Sequence, residues 1–152
     1  VRRVARGYVD TSVISALFDE RNPERRKLTE MFFGSVQDMG LYLSEITITE
    51  LERTPDLVKR RRMRDEIPRY TVLAVTEDIK DLANDYILHG AVPERYREDA
   101  YHIAIAVSND MDFLLSWNFD HIVRRRTKDI VRMVNSLHGI GQVEILTPAE
   151  LL

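Results

Sequence analysis

Short apolar runs alternate with helix-patterned stretches along the whole of this 152-residue chain, and that alternation constrains the fold more than any other feature. Gly7-Tyr8-Val9-Asp10 reads as a first strand, Leu41-Tyr42-Leu43-Ser44 as a second, Tyr70 to Val75 as a third, Phe113 to Ser116 as a fourth and Val143 to Leu146 as a fifth. Between them lie helical stripes. Val13, Ile14, Leu17 and Phe18 share one face, with Thr11 or Ser12 as the expected cap. Asn22-Pro23 restarts a helix faced by Leu28, Met31, Phe32 and Val36 and ended by Gly40. Asp56 to Ile67 is a basic helical segment stopped by Pro68. Thr76 caps a helix over Asp78 to Leu88, Glu98 to Ser108 forms another, and Ile130 to Leu137 marks a last one closed by Gly139. Thr147-Pro148 has the cap and proline of one more helix start. Strands that alternate with helices predict a parallel sheet covered on both faces. Such sheets carry their sites beyond the carboxyl ends of the strands.

Composition removes several functions. With no cysteine there is no disulfide framework, thiolate zinc site, iron–sulfur cluster or cysteine nucleophile, which fits a reducing cytoplasm. No apolar run approaches a membrane span, and the arginine-bearing start, Val1 to Gly7, has no signal-type apolar stretch behind it. Lys and Arg number 22 against 25 Asp and Glu, a net charge of −3, so bulk positive charge is not the means of binding nucleic acid. The length suits one domain over residues 1–152.

The polar residues at the strand ends carry the chemistry. Asp10 ends the first strand, Ser44 the second, and Glu50 lies six residues further on. Ser116 and Asn118 close the fourth, with Asp120 just beyond, and Asp99 lies near the start of the helix leading into it. If the first and fourth strands are neighbours, these groups converge. Clustered carboxylates repel unless protonated or bridged by cations. Hard divalent ions prefer oxygen ligands, and such ions activate water in phosphodiester cleavage. Taken singly, each acid also fits an ordinary helix start or a solvated surface.

Four stretches together resemble the PIN domain family, and within it the VapC-type toxins: Tyr8-Val9-Asp10-Thr11-Ser12-Val13-Ile14; Ser44 through Ile46, Thr47 and Ile48 to Glu50-Leu51; Glu98-Asp99-Ala100-Tyr101-His102-Ile103-Ala104-Ile105-Ala106; and Phe113 to Ile122. The closing Leu146 to Leu151 resembles one branch of these proteins. The resemblance implies a single PIN-like domain, three-layered α/β/α with a mostly parallel five-stranded sheet. It implies a Mg²⁺- or Mn²⁺-dependent endoribonuclease, usually a homodimer, acting through a metal-activated water on RNA and, in the toxins, held by a cognate antitoxin. By position it makes Asp10 and Asp99 the central metal ligands and Glu50 the third acid, with Glu45 and Glu52 as weaker candidates. The family's fourth position, Asp or Asn, falls on Asn118; Asp120 is a second candidate for it, and Ser116 is expected to hold a water or a phosphate oxygen.

Other signals are weaker. His102 shares a helix face with Asp99 and reads either as a substrate contact or as a buried polar residue. His121 belongs to the Asn118 motif, and His89 and His138 suit helix C-termini. Two basic runs, Lys59 to Arg62 with Arg64, and Arg124-Arg125-Arg126 with Lys128 and Arg132, read as solvated faces or as a phosphate-tracking rim, the second being the better RNA candidate. Trp117 and Tyr101 read first as packing residues and second as stacking surfaces for bases. No His-Glu-x-x-His pattern and no Gly-rich phosphate loop is present. An aspartate-nucleophile phosphatase needs a second Asp where Ser12 stands, and a phospho-acceptor receiver needs its Asp at a later strand end. The remaining alternative is a degenerate PIN-like domain that binds RNA or a protein partner without cleaving.

Overall fold

In the computed structural model, which describes residues 3–152, β1 spans Arg6–Val9, β2 Gly40–Ser44, β3 Thr71–Leu73, β4 Phe113–Leu115 and β5 Glu144–Leu146. They form one five-stranded sheet in the order β3-β2-β1-β4-β5, with every pairing parallel. Parallel neighbours need long crossovers, and helices supply them. These are α1 (Thr11–Ala16), α2 (Pro23–Ser35), α3 (Glu45–Leu51), α4 (Leu57–Glu66), α5 (Glu77–Leu88), α6 (Arg97–Ser108) and α7 (Arg125–His138).

The two-residue period of the strands divides the core. Tyr8, Leu114 and Ile145 pack on one face with Leu82 and Tyr86 of α5, Ile103 of α6 and Val131 of α7. Val9, Leu43 and Leu115 pack on the other with Ile14 of α1, Phe32 of α2 and Met63 of α4. The result is the expected three-layer α/β/α arrangement. From β1 the chain winds outward through β2 to β3, then returns to the other side of β1 for β4 and β5. The winding therefore reverses between β1 and β4, which is where an open sheet leaves a crevice at its carboxyl edge. In register, Val9 lies beside Leu115, so the next residues, Asp10 and Ser116, emerge together at that edge.

Local details differ from expectation where one cap displaces another. Asp10, rather than Thr11 or Ser12, caps α1, its carboxylate accepting from the Val13 amide. The helix stops at Ala16, so Leu17 and Phe18 lie in the turn that follows. The third strand is only Thr71–Leu73, and Thr147-Pro148 opens a 3₁₀ turn, Pro148–Leu151, rather than an α-helix. α7 starts at Arg125, which puts the second basic run at a helix N-terminus, where cationic side chains gain nothing from the helix dipole. Among the described residues, no helix is long and apolar enough to cross a membrane.

Candidate active site

Asp10 stands at the centre of the carboxyl edge and is only 3% exposed. Its backbone amide continues the β1–β4 ladder by donating to the Leu115 carbonyl (3.1 Å). Its two carboxylate oxygens are divided between hydroxyls: Ser12 donates to Oδ1 and Ser116 to Oδ2, each at 2.5 Å. Ser12 Oγ in turn accepts from the Trp117 amide (2.8 Å), and Ser116 Oγ accepts from the Asn118 amide (2.9 Å). Hydroxyls from both strand ends thus fix the carboxylate and the loop after β4 in one unit. Burial pushes the Asp10 carboxyl above the ordinary carboxylate range, against the pull of nearby His102 and of the two serine hydroxyls.

Glu50, on the last turn of α3, reaches the same edge. Its Oε1 accepts from Thr11 Oγ1 (2.7 Å) and from His102 Nε2 (2.5 Å). The other imidazole nitrogen, Nδ1, lies 2.6 Å from the Tyr8 hydroxyl, which is 2.8 Å from Ser44 Oγ. A buried chain Glu50–His102–Tyr8–Ser44 therefore runs from the site into the core. Burial opposes a charge on His102, but Tyr8, Glu50 and Asp10 together hold its pKa well above the usual imidazole value. A ring protonated at both nitrogens would donate to Glu50 and to the Tyr8 oxygen, leaving Tyr8 to donate to Ser44. Burial also opposes the charge on Glu50, but the His102 and Thr11 bonds outweigh it and hold this carboxyl below the usual range.

Asp99 enters from the first turn of α6. Burial first, and then the charges of Asp10 and Glu50, raise its pKa to about 6 against the opposing influence of His102 and a hydrogen bond with the Asn118 side chain. Among the described residues no arginine or lysine forms an ion pair with Asp10 or Asp99. The Asn118 carbonyl oxygen is already engaged, accepting from the His121 amide (2.9 Å). Asn118 is thereby fixed in the turn after β4, its backbone amide on Ser116 Oγ and its side-chain carbonyl on the His121 amide.

Among the described residues, no three His, Asp or Glu side chains are drawn together within the range of a common ion. The donor set nevertheless fits a hard divalent cation. It consists of oxygens, and burial raises the pKa of two of its carboxylates, Asp10 and Asp99, an opposition to their charge that a bound cation offsets.

The sequence profile of the PIN domain matches residues 7–128, most of the chain. The chain belongs to the PIN domain family. No curated protein matches it in sequence. Among solved structures it is similar to VapC20 of Mycobacterium tuberculosis, described as a Sarcin-Ricin loop cleaving toxin, with a TM-score of 0.61 and 19% identity over 91% of this chain and 98% of that one. It is also similar to a chain of VapBC-1 from nontypeable Haemophilus influenzae (TM-score 0.56, 16% identity, 94% and 98% covered). A third similar chain belongs to VapBC2 of Rickettsia felis, solved on a DNA fragment from its promoter (0.55, 8%, 93% and 98%). At such identities the likeness is one of fold, and the fold is that of a VapC-type PIN domain.

The remaining expected residues fall elsewhere in this PIN domain. Asp120 is exposed beyond Asn118, without a hydrogen bond to the acids. Glu45 accepts from the Val75 amide (3.0 Å) at the β2–β3 side, and Glu52 pairs with Arg64 (2.7 Å); both are committed away from Asp10. His102 is 1% exposed, which leaves it no surface for substrate and makes it a support for Glu50. Arg124 and Arg126 donate to the carbonyls of Ala91 and Gly90, tying α7 to the loop after α5, while exposed Arg125 faces Asp129. The first basic run is partly spent as well, with Arg60 on the Thr54 carbonyl and Arg64 on Glu52. Trp117 is 7% exposed and Tyr101 is partly buried against the core. Sequence reasoning missed Tyr8, Thr11 and Ser12 as site residues. The signal was present for the two hydroxyls, since they directly follow Asp10 on a chain that must turn over the sheet edge.

Proposed function

We propose that this PIN domain is a divalent-metal-dependent endoribonuclease and the toxin of a toxin–antitoxin pair. The observation that carries the reading is the gathering at one sheet edge of buried Asp10 and half-buried Asp99, both raised above the ordinary carboxylate range, with no arginine or lysine ion-paired to either among the described residues. In this reading Asp10, Glu50 and Asp99 hold Mg²⁺ or Mn²⁺ and Asn118 completes the site by orienting Asp99. A cation bound there supplies a polarised water and neutralises charge on the phosphate oxygens. The residues themselves do the rest. Ser12 and Ser116 fix the Asp10 oxygens and His102 and Thr11 fix Glu50; Ser116, expected to hold a water or a phosphate oxygen, is fully buried and serves Asp10 instead.

The whole chain, residues 1–152, is read as one domain, because β5 lies beyond the matched span yet completes the same sheet. A cognate antitoxin, a homodimeric state and a cytoplasmic setting go with the toxin reading. Complexes with an antitoxin among the similar structures support the first of these.

The test is cleavage of a mixed pool of structured RNA by purified protein with Mg²⁺, Mn²⁺ or EDTA, beside Asp99→Asn. We expect cuts that need the metal, vanish in the variant and leave no 2′,3′-cyclic phosphate, because attack by water does not use the ribose 2′-OH. Cuts that persist in EDTA, or that leave cyclic phosphates, contradict the reading. A folded protein that neither cuts RNA nor binds metal points to the non-cleaving binding module instead.

A further inference from the structure

The loop that carries Asn118 also carries an aromatic surface that the fold does not use. Trp117 and Phe119 flank Asn118 in sequence, and their environments differ. The Trp117 ring is 7% exposed, and its indole N–H donates to Thr29 Oγ1 (3.0 Å) on α2. Phe119 is 50% exposed, its ring tilted 56° to Trp117 with centroids 6.3 Å apart. It belongs to neither of the two core clusters. Above both rings sits the guanidinium of Arg25, from the first turn of α2, 5.2 Å from the Trp117 centroid and 5.7 Å from that of Phe119. Among the described residues no carboxylate pairs with Arg25, unlike Arg21, Arg26, Arg53 and Arg64, each of which has one.

An exposed phenyl face joined to an unneutralised guanidinium is poor use of a surface facing water. It suits a ligand that is flat and apolar on one side and anionic on the other. A nucleotide has both properties: its base stacks on the ring and its phosphate meets the cation. The platform is also rigid, since Trp117 is bonded at its indole to Thr29 and at its backbone to Ser12. The Ser12 hydroxyl in turn binds Asp10, so the platform is connected by hydrogen bonds to the carboxylate edge itself.

We propose that Phe119 and Arg25 form a nucleotide-binding platform that stacks an unpaired base of RNA beside the cleavage site and contacts its phosphate. This rests on the ribonuclease reading and assigns to that site a way of gripping RNA that the arginine runs do not provide. It predicts a preference for unpaired over duplexed RNA, because a paired base offers no free face.

The test uses the full chain carrying Asp99→Asn, in EDTA, so that no RNA is consumed. A fluorescein-labelled single-stranded RNA of mixed sequence is titrated while both its anisotropy and the emission of Trp117, the one tryptophan of the chain, are followed. RNA is expected to quench Trp117 with the same midpoint as the anisotropy change. Phe119→Leu, which keeps apolar bulk but loses the π face, is expected to weaken binding roughly 5- to 150-fold, the range found for a lost base–aromatic stack. Phe119→Tyr is expected to restore it. Arg25→Gln is expected to lower the magnitude of the slope of log affinity on log salt by about 0.7, one phosphate contact on a single strand. Unchanged melting temperatures establish that the exposed-site variants are folded. Equal affinity in Phe119→Leu, or RNA binding that leaves Trp117 emission unchanged, overturns the platform. The ribonuclease reading fails separately, by absence of metal-dependent cleavage in the protein without Asp99→Asn.

Discussion

Asp99 is an acid whose folded environment works against its charge. Its pKa is raised to about 6 from an ordinary 3.8, mainly by burial. The sign of the consequence follows: the folded state binds the proton more tightly than the unfolded chain, so stability is full below about pH 4 and is lost as pH rises through about 6. Without metal, the wild type should therefore fall behind Asp99→Asn across that window, by on the order of 1–2 kcal/mol after allowance for partial exposure. Urea unfolding of the two proteins in EDTA at pH 4 and pH 7 measures this, and equal differences at both pH values contradict it. The Glu50–His102–Tyr8–Ser44 chain is the other residue-scale device. Tyr8→Phe removes the hydroxyl shared by His102 and Ser44 and leaves two buried polar groups short of a partner, at a cost of about 1–3 kcal/mol. If the Tyr8 hydroxyl matters only as packing, the variant will melt with the wild type.

Among the elements, helix ends decide most of the local structure. Gly139 closes α7 with φ of 66°, and a Cβ there meets nothing within 4 Å, so Gly139→Ala carries backbone strain alone, about 1–2 kcal/mol. Gly34, inside α2, also has open space around it, and Gly34→Ala should stabilise by up to about 1 kcal/mol. Opposite shifts in melting temperature for the two alanines check this reading, and shifts of the same sign refute it. The elements were legible in the sequence where a period and a cap agreed, as at Asn22-Pro23, Thr76 and Gly139. The five strands and their polar ends were legible too, which is why Asp10 could be marked as a candidate before any coordinates, with Glu50 and Asp99 on the helices that follow or precede those ends. Asp10 taking the cap of α1 was not, because Asp, Thr and Ser in succession are all competent caps and only the approach of β4 selects the first. The roles of His102 and the arginines were hidden for a related reason. A histidine on an apolar helix face does not reveal that a tyrosine two strands away in sequence lies under it. Arginines in a row do not reveal that carbonyls of another loop absorb them.

At the scale of the whole molecule, the reversal of winding between β1 and β4 brings the parts together. It sets Asp10 beside Ser116 at the edge that Glu50 of α3 reaches through Thr11, and Asn118 is tied to that edge through Ser116. Two sheet faces with separate cores hold the strands rigid while the edge itself is built of hydroxyls and carboxylates. On the proposed reading, an acidic chain can act on a polyanion because the charge that matters is local and would be offset by a bound cation. If Asp10 and Asp99 jointly bind a divalent ion, Mn²⁺ binding followed by electron paramagnetic resonance at pH 7 on the wild type, Asp10→Asn and Asp99→Asn will reveal it. Saturable binding by the wild type that is lost in both variants is the predicted result. Binding of equal strength in all three proteins, or none in a folded wild type, would contradict it.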